Sequence, residues 1–575
     1  MMQTQRTILW VIFTMSLFLL WDAWRQHNGD PGFFGPAPQS QQQLDSNTGG
    51  SAAPGQAVAP ATQAGSGVPQ ATAAPAGDGS VPTATPSTAT APAAPATQST
   101  ENAAVSAVVL QNDLLALSVS PKGGVIERAE LLTHRDRVTD GNIVLFSKDP
   151  STFYLAQNGV INAPAGSEFV NHHSVMNVVR SSANELVLAA SAGGLAVERT
   201  YRLEPGSYVL TVSDQLTNES EGSLSPVLYR QLTRNNHIPA GDDSFYIRTF
   251  VGPVIYNEQG KFQKIDFEDI DDGDAEYVKS ANDGWAGMLQ HYFASAIIPA
   301  DDQRREFYTN KTQAGLYSVG MKLPLPELGA NQTVSSAVRM FIGPQDQRII
   351  GDIAPGLDLT VDYGIFTVLC QPLYWLLEKL HSIVGNWGWA IVLLTLIIKT
   401  IFFPLQAASY KSMARMKAVG PRLQQLKERY GDDRQKMNAA MMELYKNEKI
   451  NPLGGCLPIL VQIPVFISLY WVLLASVEMR DAPWIGWIQD LQAQDPYYIL
   501  PLLMAISMFV QVKLSPAPPD PIQAKVMMFM PLVFSVFFFF FPAGLVLYWL
   551  VNNLYSIAQQ WVITRKIVGT NPTTT

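Results

Sequence analysis

At 575 residues the chain is too long for one compact domain, and its 47% hydrophobic content averages two unlike halves. Charges are ordinary up to about Asp362; beyond it long apolar runs begin and charges thin out, one basic stretch aside. A formal net charge of −9 argues against a nucleic-acid binder, and two cysteines, Cys370 and Cys456, exclude a disulfide framework.

Ile8 to Leu20 is a continuous apolar run between Arg6 and Asp22. It is shorter than the ~20 residues that span a bilayer, unless Trp21 and Trp24 extend it as interfacial anchors. A cleaved signal peptide is the competing reading, but Trp21-Asp22-Ala23-Trp24-Arg25 lacks the small residues of a cleavage site. Residues 1–27 therefore read as an uncleaved signal anchor with a cytoplasmic N-terminus. Residues 28–102 are dominated by Pro, Ala, Ser, Thr, Gln and Gly and bury too little apolar surface to offset chain entropy. They read as a disordered periplasmic tether.

From 103 to 355 short alternating segments are separated by turn residues. Val197–Leu203 and Tyr208–Val212 flank Glu204-Pro205-Gly206-Ser207 as a β-hairpin, and Pro121-Lys122-Gly123-Gly124 is a similar turn after Leu115–Val119. The repeat predicts a large antiparallel β-sandwich, acidic overall and densest at Asp266–Asp272. His134, His172, His173, His237 and His291 lack ligand spacing, and we find no catalytic constellation.

The second half reads as an α-helical membrane protein. Residues 361–384 form an amphipathic helix in the interface, with Phe366, Leu369, Leu373, Leu376, Leu377 and Leu380 opposite Gln371 and Glu378; a core helix of the preceding domain is the alternative. Residues 386–405 are a transmembrane helix carrying one charge, Lys399. Residues 406–455 are strongly basic; Gly431-Asp432-Asp433 ends one helix and caps the next, and Leu423, Leu426 and Tyr430 pair with Met437, Met441 and Leu444 as a cytoplasmic hairpin. Four further spans fill 456–563, giving a five-helix core, and 564–575 are a short cytoplasmic tail. Pro458, Pro464, Pro501 and Pro531 are expected to interrupt these helices.

Lys399 is the sharpest single clue, because a charge within a span costs several kcal/mol unless it meets protein, water or a partner ion. The alternative is a side chain that snorkels to the headgroups. Thr395 lies one turn before it; Gln462 is in the next span, and Asn552, Ser556, Gln559 and Gln560 line one side of the last. Polar groups without a carboxylate among them suggest a hydrated groove open to the cytoplasm, although each amide or hydroxyl taken singly suits interhelical hydrogen bonding. Opposite, Phe466, Met527, Met528 and Met530, with Phe529 and Phe537–Phe541, make an adaptable apolar wall. Protease nucleophiles and a phosphate-binding Gly-rich loop are absent, since Gly454-Gly455-Cys456 lacks the Lys-Ser/Thr of such a loop, and repeated transporter halves are not seen. The chain reads as a non-enzyme without cofactor.

Asn451-Pro452-Leu453-Gly454-Gly455-Cys456-Leu457-Pro458, followed by Gln462 and Pro464, resembles the YidC membrane protein insertases. So do Gly385-Asn386-Trp387-Gly388, Asp495-Pro496-Tyr497-Tyr498-Ile499-Leu500-Pro501 and Phe541-Pro542-Ala543-Gly544-Leu545-Val546-Leu547-Tyr548, in matching order and spacing; the layout is that of the Gram-negative form. The resemblance implies insertion of inner-membrane proteins, alone or with the Sec translocon, with nascent membrane proteins, lipids and, transiently, the ribosome as partners. It places Lys399 where the family usually has Arg, and it sets Thr395 and Trp549 near the substrate path. It assigns substrate or ribosome contacts to the hairpin, where Lys411, Arg415, Arg422 and Lys427 are the candidates. The alternatives are a solute channel or transporter using the same groove, and a periplasmic scaffold binding a glycan or protein.

Overall fold

The computed structural model describes residues 106–136, 139, 141–239, 250–430, 433–448, 457–514, 528–529 and 535–563. The expected anchor, tether and tail lie outside the described residues, as do Cys456, Met527, Met530 and Pro531.

The first part folds as two antiparallel sheets. One runs, in spatial order, through Val108–Gln111, Leu115–Ser120, Val125–Arg135, Tyr154–Ile161, Val227–Arg234, Tyr317–Pro324, Arg305–Lys311 and Ser280–Ala281, with Asn142–Phe146 also on Val125–Arg135. The other runs through Lys261–Lys264, Gly252–Asn257, Trp285–Gln290, Phe293–Pro299, Thr333–Pro344, Val209–Asn218, Leu195–Leu203, Glu185–Ala192 and Asn177–Ser181. Sequence alternation sets the register. In Leu195–Leu203 the residues Leu195, Val197, Tyr201 and Leu203 are buried while Glu198 and Arg202 face out, and the hairpin pairs Leu203 with Leu210. At the other predicted turn Gly123 has φ +70°, and a Cβ there would meet the His172 backbone at 2.3 Å. The acidic run forms a short helix, α1 (Phe267–Asp272), ended by Gly273 in the left-handed conformation.

Where the sheets face each other the interior holds an ion cluster. Arg199 and Asp214 are cross-strand partners in one sheet, and the Asp214 carboxylate also takes Arg230 from the other. Tyr201 donates to the Gly124 carbonyl across the same gap.

After the single turn α2 (Ile350–Ile353), helix α3 (Thr367–Val384) covers the expected interfacial segment. Its buried stripe is Cys370, Tyr374, Leu377 and Leu380, whereas Leu369 is exposed and Leu373 and Leu376 are half-buried. The predicted face is therefore rotated. Cys370 and Tyr374 combine apolar bulk with a donor, and their donors find the Ser468 carbonyl and Glu478. Gly385 at φ +67° ends α3, and the Asn386 side chain accepts from the Trp389 N–H to start α4 (Trp387–Ile401).

The expected helix over 386–405 stops early. Phe402 closes α4 and α5 (Phe403–Ala418) begins beyond it, bent by 59°. Pro404 supplies the reason: it has no N–H for a continuous helix and disfavours helical backbone in the residue before it, yet it suits a first turn. Helices α6 (Gly420–Tyr430) and α7 (Arg434–Asn447) pack together as the predicted hairpin, with the Asp433 side chain capping Lys436 N–H.

Three further long helices lie among the described residues, α8 (Leu457–Ala475), α9 (Ile499–Leu514) and α10 (Ala543–Ile563). Pro458 and Pro501 sit in first turns, where no N–H is needed; of the four prolines expected to interrupt helices Pro464 lies inside one, as does Pro372 in α3. Asp495 nucleates α9 by accepting from Tyr497 N–H, Leu500 N–H and the Trp487 indole. Helix α10 packs on α4 and α9, and α3 on α4 and α8. Among the described residues no single helix is long and apolar enough to cross a membrane. Trp387–Ile401 and Phe403–Ser412 suffice only as a bent pair, and Val461–Ala475 and Ile499–Leu514 are shorter apolar helices.

Candidate functional site

A buried polar cluster joins three helices at the end of the bundle next to the hairpin. Helix α4 places Thr395 and Lys399 one turn apart on its packed face. The Lys399 ammonium donates to Ser556 Oγ at 2.9 Å on α10 and to Gln462 Oε1 at 3.2 Å on α8. Gln462 Nε2 donates to Asn552 Oδ1, and Ser556 Oγ donates to the Asn552 carbonyl at 2.7 Å. Asn552, Ser556 and Gln559 repeat at helical spacing and are all buried. Among the described residues Lys399 makes no ion pair, and neither amide atom of Gln559 has a partner.

Lys399 is 4% exposed, and the cavity between Lys399, Phe402 and Gln406 and the α8 residues Val461, Gln462 and Val465 measures about 20 Å³, room for one water molecule. Thr395 donates to the Ile391 carbonyl of its own helix, so it lines the cluster without touching the ammonium. Beside it is an aromatic group. Phe466 meets Trp549 edge-on at 4.6 Å and Tyr548 at 6.0 Å, and Phe538 lies 5.6 Å from Trp549.

The family model of the 60Kd inner membrane protein matches residues 379–570, and that of the YidC periplasmic domain matches 107–376. The chain is 50% identical to the membrane protein insertase YidC of Bordetella petrii and 47% identical to that of Cupriavidus necator, over 98% of each chain. The chain belongs to the YidC membrane protein insertase family.

A solved structure described as an active YidC insertase with its first transmembrane domain resolved is 17% identical. It covers 79% of this chain and 92% of its own, with a TM-score of 0.37. The family assignment gives membrane protein insertion as the activity, an inner-membrane location, and a periplasmic domain for the sheet-rich part.

Of the residues singled out in this YidC-family sequence, Lys399, Gln462, Asn552 and Ser556 come together. Trp549 does not join them: it belongs with Phe466 and Phe538 on the apolar side. Gln560 points elsewhere, donating to the Leu514 carbonyl while Asn553 donates to Ser507, so that face of α10 holds α9. On the hairpin Lys411 is exposed and Arg422 pairs with Glu448, while the side chains of Arg415 and Lys427 lie outside the described residues. Met528 is exposed. Sequence reasoning missed the hydrogen bond between Thr400 and Tyr555 at 2.9 Å, which ties α4 to α10; a threonine and a tyrosine in apolar runs give no signal of their own. Among the described residues no His, Cys, Asp and Glu group has the makings of a metal site.

Proposed function

We propose that this insertase admits a substrate's short polar segment between α4, α8 and α10, where it exchanges with Gln462 and Ser556 for the Lys399 ammonium. The observation that carries the reading is a buried ammonium held only by neutral oxygens, with the Gln559 amide beside it unpartnered among the described residues. Neutral acceptors are easily displaced by a carboxylate, which binds the cation more strongly. The substrate's apolar part moves past Phe466, Trp549 and Met528 into lipid, and the family's activity needs no nucleotide from this chain. Apolar burial and the membrane potential drive the step.

In the same reading the chain is multi-pass, with a cytoplasmic N-terminus, five core spans, and the bend at Phe402 bringing α5 to the membrane surface. The basic hairpin faces the cytoplasm, consistent with the positive-inside rule, and contacts nascent chains, the Sec translocon and, weakly, the ribosome through Lys411, Arg415, Arg422 and Lys427. The test is insertion of a radiolabelled single-span protein with an acidic tail into vesicles holding only this chain, read by protease protection. Lys399→Arg is expected to insert at nearly the normal rate, and Lys399→Ala and Lys399→Glu progressively more slowly. Normal rates for both of the latter would remove the electrostatic step.

A further inference from the structure

At the opposite end of α8 a second polar joint connects the helices to the sandwich. One turn of 3-10 helix, Val477–Met479, seats Glu478 between α3, the sandwich and the segment that follows strand Thr333–Pro344. Glu478 Oε1 accepts from the Gln347 backbone N–H at 3.0 Å and from the Tyr374 hydroxyl on α3 at 2.6 Å. The Tyr363 hydroxyl donates to Gln347 Oε1 at 2.8 Å. Beside it the Arg480 guanidinium donates to the Arg135 carbonyl at 3.1 Å and lies over the Tyr292 and Phe293 rings. The bonds of Glu478 and Arg480 join parts of the chain 104 to 345 residues apart.

Burial and the neighbouring Asp346 charge oppose the ionised form of Glu478. From the preceding segment come Asp346 and Arg348, which pair with each other; Arg480 and Asp481 are on its own loop, His134 and Arg135 on the sandwich strand, and Tyr363 and Tyr374 complete the wall. Among the described residues no cation pairs with Glu478, and its Oε2 is buried without a hydrogen-bond partner. A carboxylate would leave that oxygen bare while facing Asp346, whereas the neutral acid still offers Oε1 to both donors.

We propose that Glu478 is a positioning residue for insertion: as the protonated acid it latches α3, and the segment leading from the sandwich, onto the outer end of α8. Helix α3 exposes Val368, Trp375 and Ile383 as a surface that rests on lipid, so its seating sets how the bundle meets the outer face of the bilayer. Burial, and then the charge of Asp346, push the Glu478 carboxyl up to about 7 from an ordinary 4.5. Burial and Arg480 hold His134 down at about 4; its ring packs on Tyr208 and Phe293 of the sandwich itself, so it stays buried and neutral when α3 lifts and adds no slope of its own. When the seam opens, Glu478 regains its ordinary acidity. The latch is therefore strongest below 4.5, weakens as pH rises, and has lost this contribution above about 7.

The test is hydrogen exchange at the Gln347 amide and along α3 in the full chain in vesicles, corrected for intrinsic exchange, between about pH 5.5 and 7.5. Wild type is expected to lose protection about twentyfold across that range. Glu478→Gln, which keeps an acceptor and cannot ionise, is expected to be flat; Tyr374→Phe is expected to be less protected throughout with its slope intact. A flat wild-type profile overturns the proposal, and so does a slope that survives in Glu478→Gln. Insertion measured in the same vesicles is expected to follow protection, and insertion indifferent to it overturns the positioning role. Lys399→Ala leaves Gln347 protection unchanged on this reading, so the latch and the substrate path fail separately.

Discussion

Asp214 sits where water does not reach and answers for two guanidinium groups, Arg199 from its own sheet and Arg230 from the facing one. Removing its charge leaves two cations buried against each other. Asp214→Asn is therefore expected to destabilise the sandwich by ~3–5 kcal/mol, measured as the urea midpoint at which protease cuts strand Leu195–Leu203 in the full chain. Lys399 is the opposite case, one cation among neutral oxygens. Gln462→Glu would place a carboxylate at the position that now accepts from Lys399, so insertion of an acidic-tailed substrate is expected to slow by about tenfold while thermal stability holds or rises. The initial rate of protease-protected product measures it. Lys399, Gln462, Asn552 and Ser556 were legible in the sequence because a polar residue in an apolar run has few ways to be satisfied. Glu478 was not, because a glutamate in a loop looks solvated until the fold closes over it.

At the scale of elements, turn chemistry carried the most information. The Pro205-Gly206 hairpin and the Asp433 cap stand where local residues predict them. The direction of α3 around its axis did not follow from apolar count, since Tyr374 and Cys370 turn inward only because partners from α8 and the loop after it wait there. The start of α4 depends on a similarly remote neighbour. A Cβ on Gly388 would lie 2.2 Å from Trp484 Cδ1, in a loop held by Asn386 through the Pro483 carbonyl. Gly388→Ala is expected to push Trp484 aside and lower the melting temperature, at a cost of ~1–3 kcal/mol, read by thermal unfolding in detergent.

Across the whole molecule, a single cluster of buried side chains runs from the sandwich through Tyr292, Ile350, Leu357 and Tyr363 into Cys370, Leu469 and Val477 of the helical part. The sandwich is thus seated on the helices, and a clean removal has to respect its last strand. Thr333–Pro344 pairs with both Phe293–Pro299 and Val209–Asn218, so cutting at Ala330 would strand an apolar ribbon. Deleting 106–344 while keeping Asp346 to Tyr363 removes the Arg480 contacts to the sandwich but keeps the Glu478 bonds to Gln347 and Tyr374, and this variant is expected to retain most insertion of a small single-span substrate. The shorter deletion to Ala330 is expected to aggregate. Yield by size exclusion and protease-protected product distinguish the two.

Periodicity, turn residues and the spacing of polar groups in apolar runs determined, without any structure, that an acidic β-rich part precedes apolar helices and that Lys399 is the exceptional charge. Those features are local, and local backbone and solvation energies decide them. The pairing of Lys399 with α8 and α10, the diversion of Trp549 and Gln560 to other faces, and the sealing of Asp214 and Glu478 were decided by tertiary structure. Each depends on residues tens to hundreds of positions away, and the energy of a buried polar group is set by whichever distant donor or acceptor packing brings within reach.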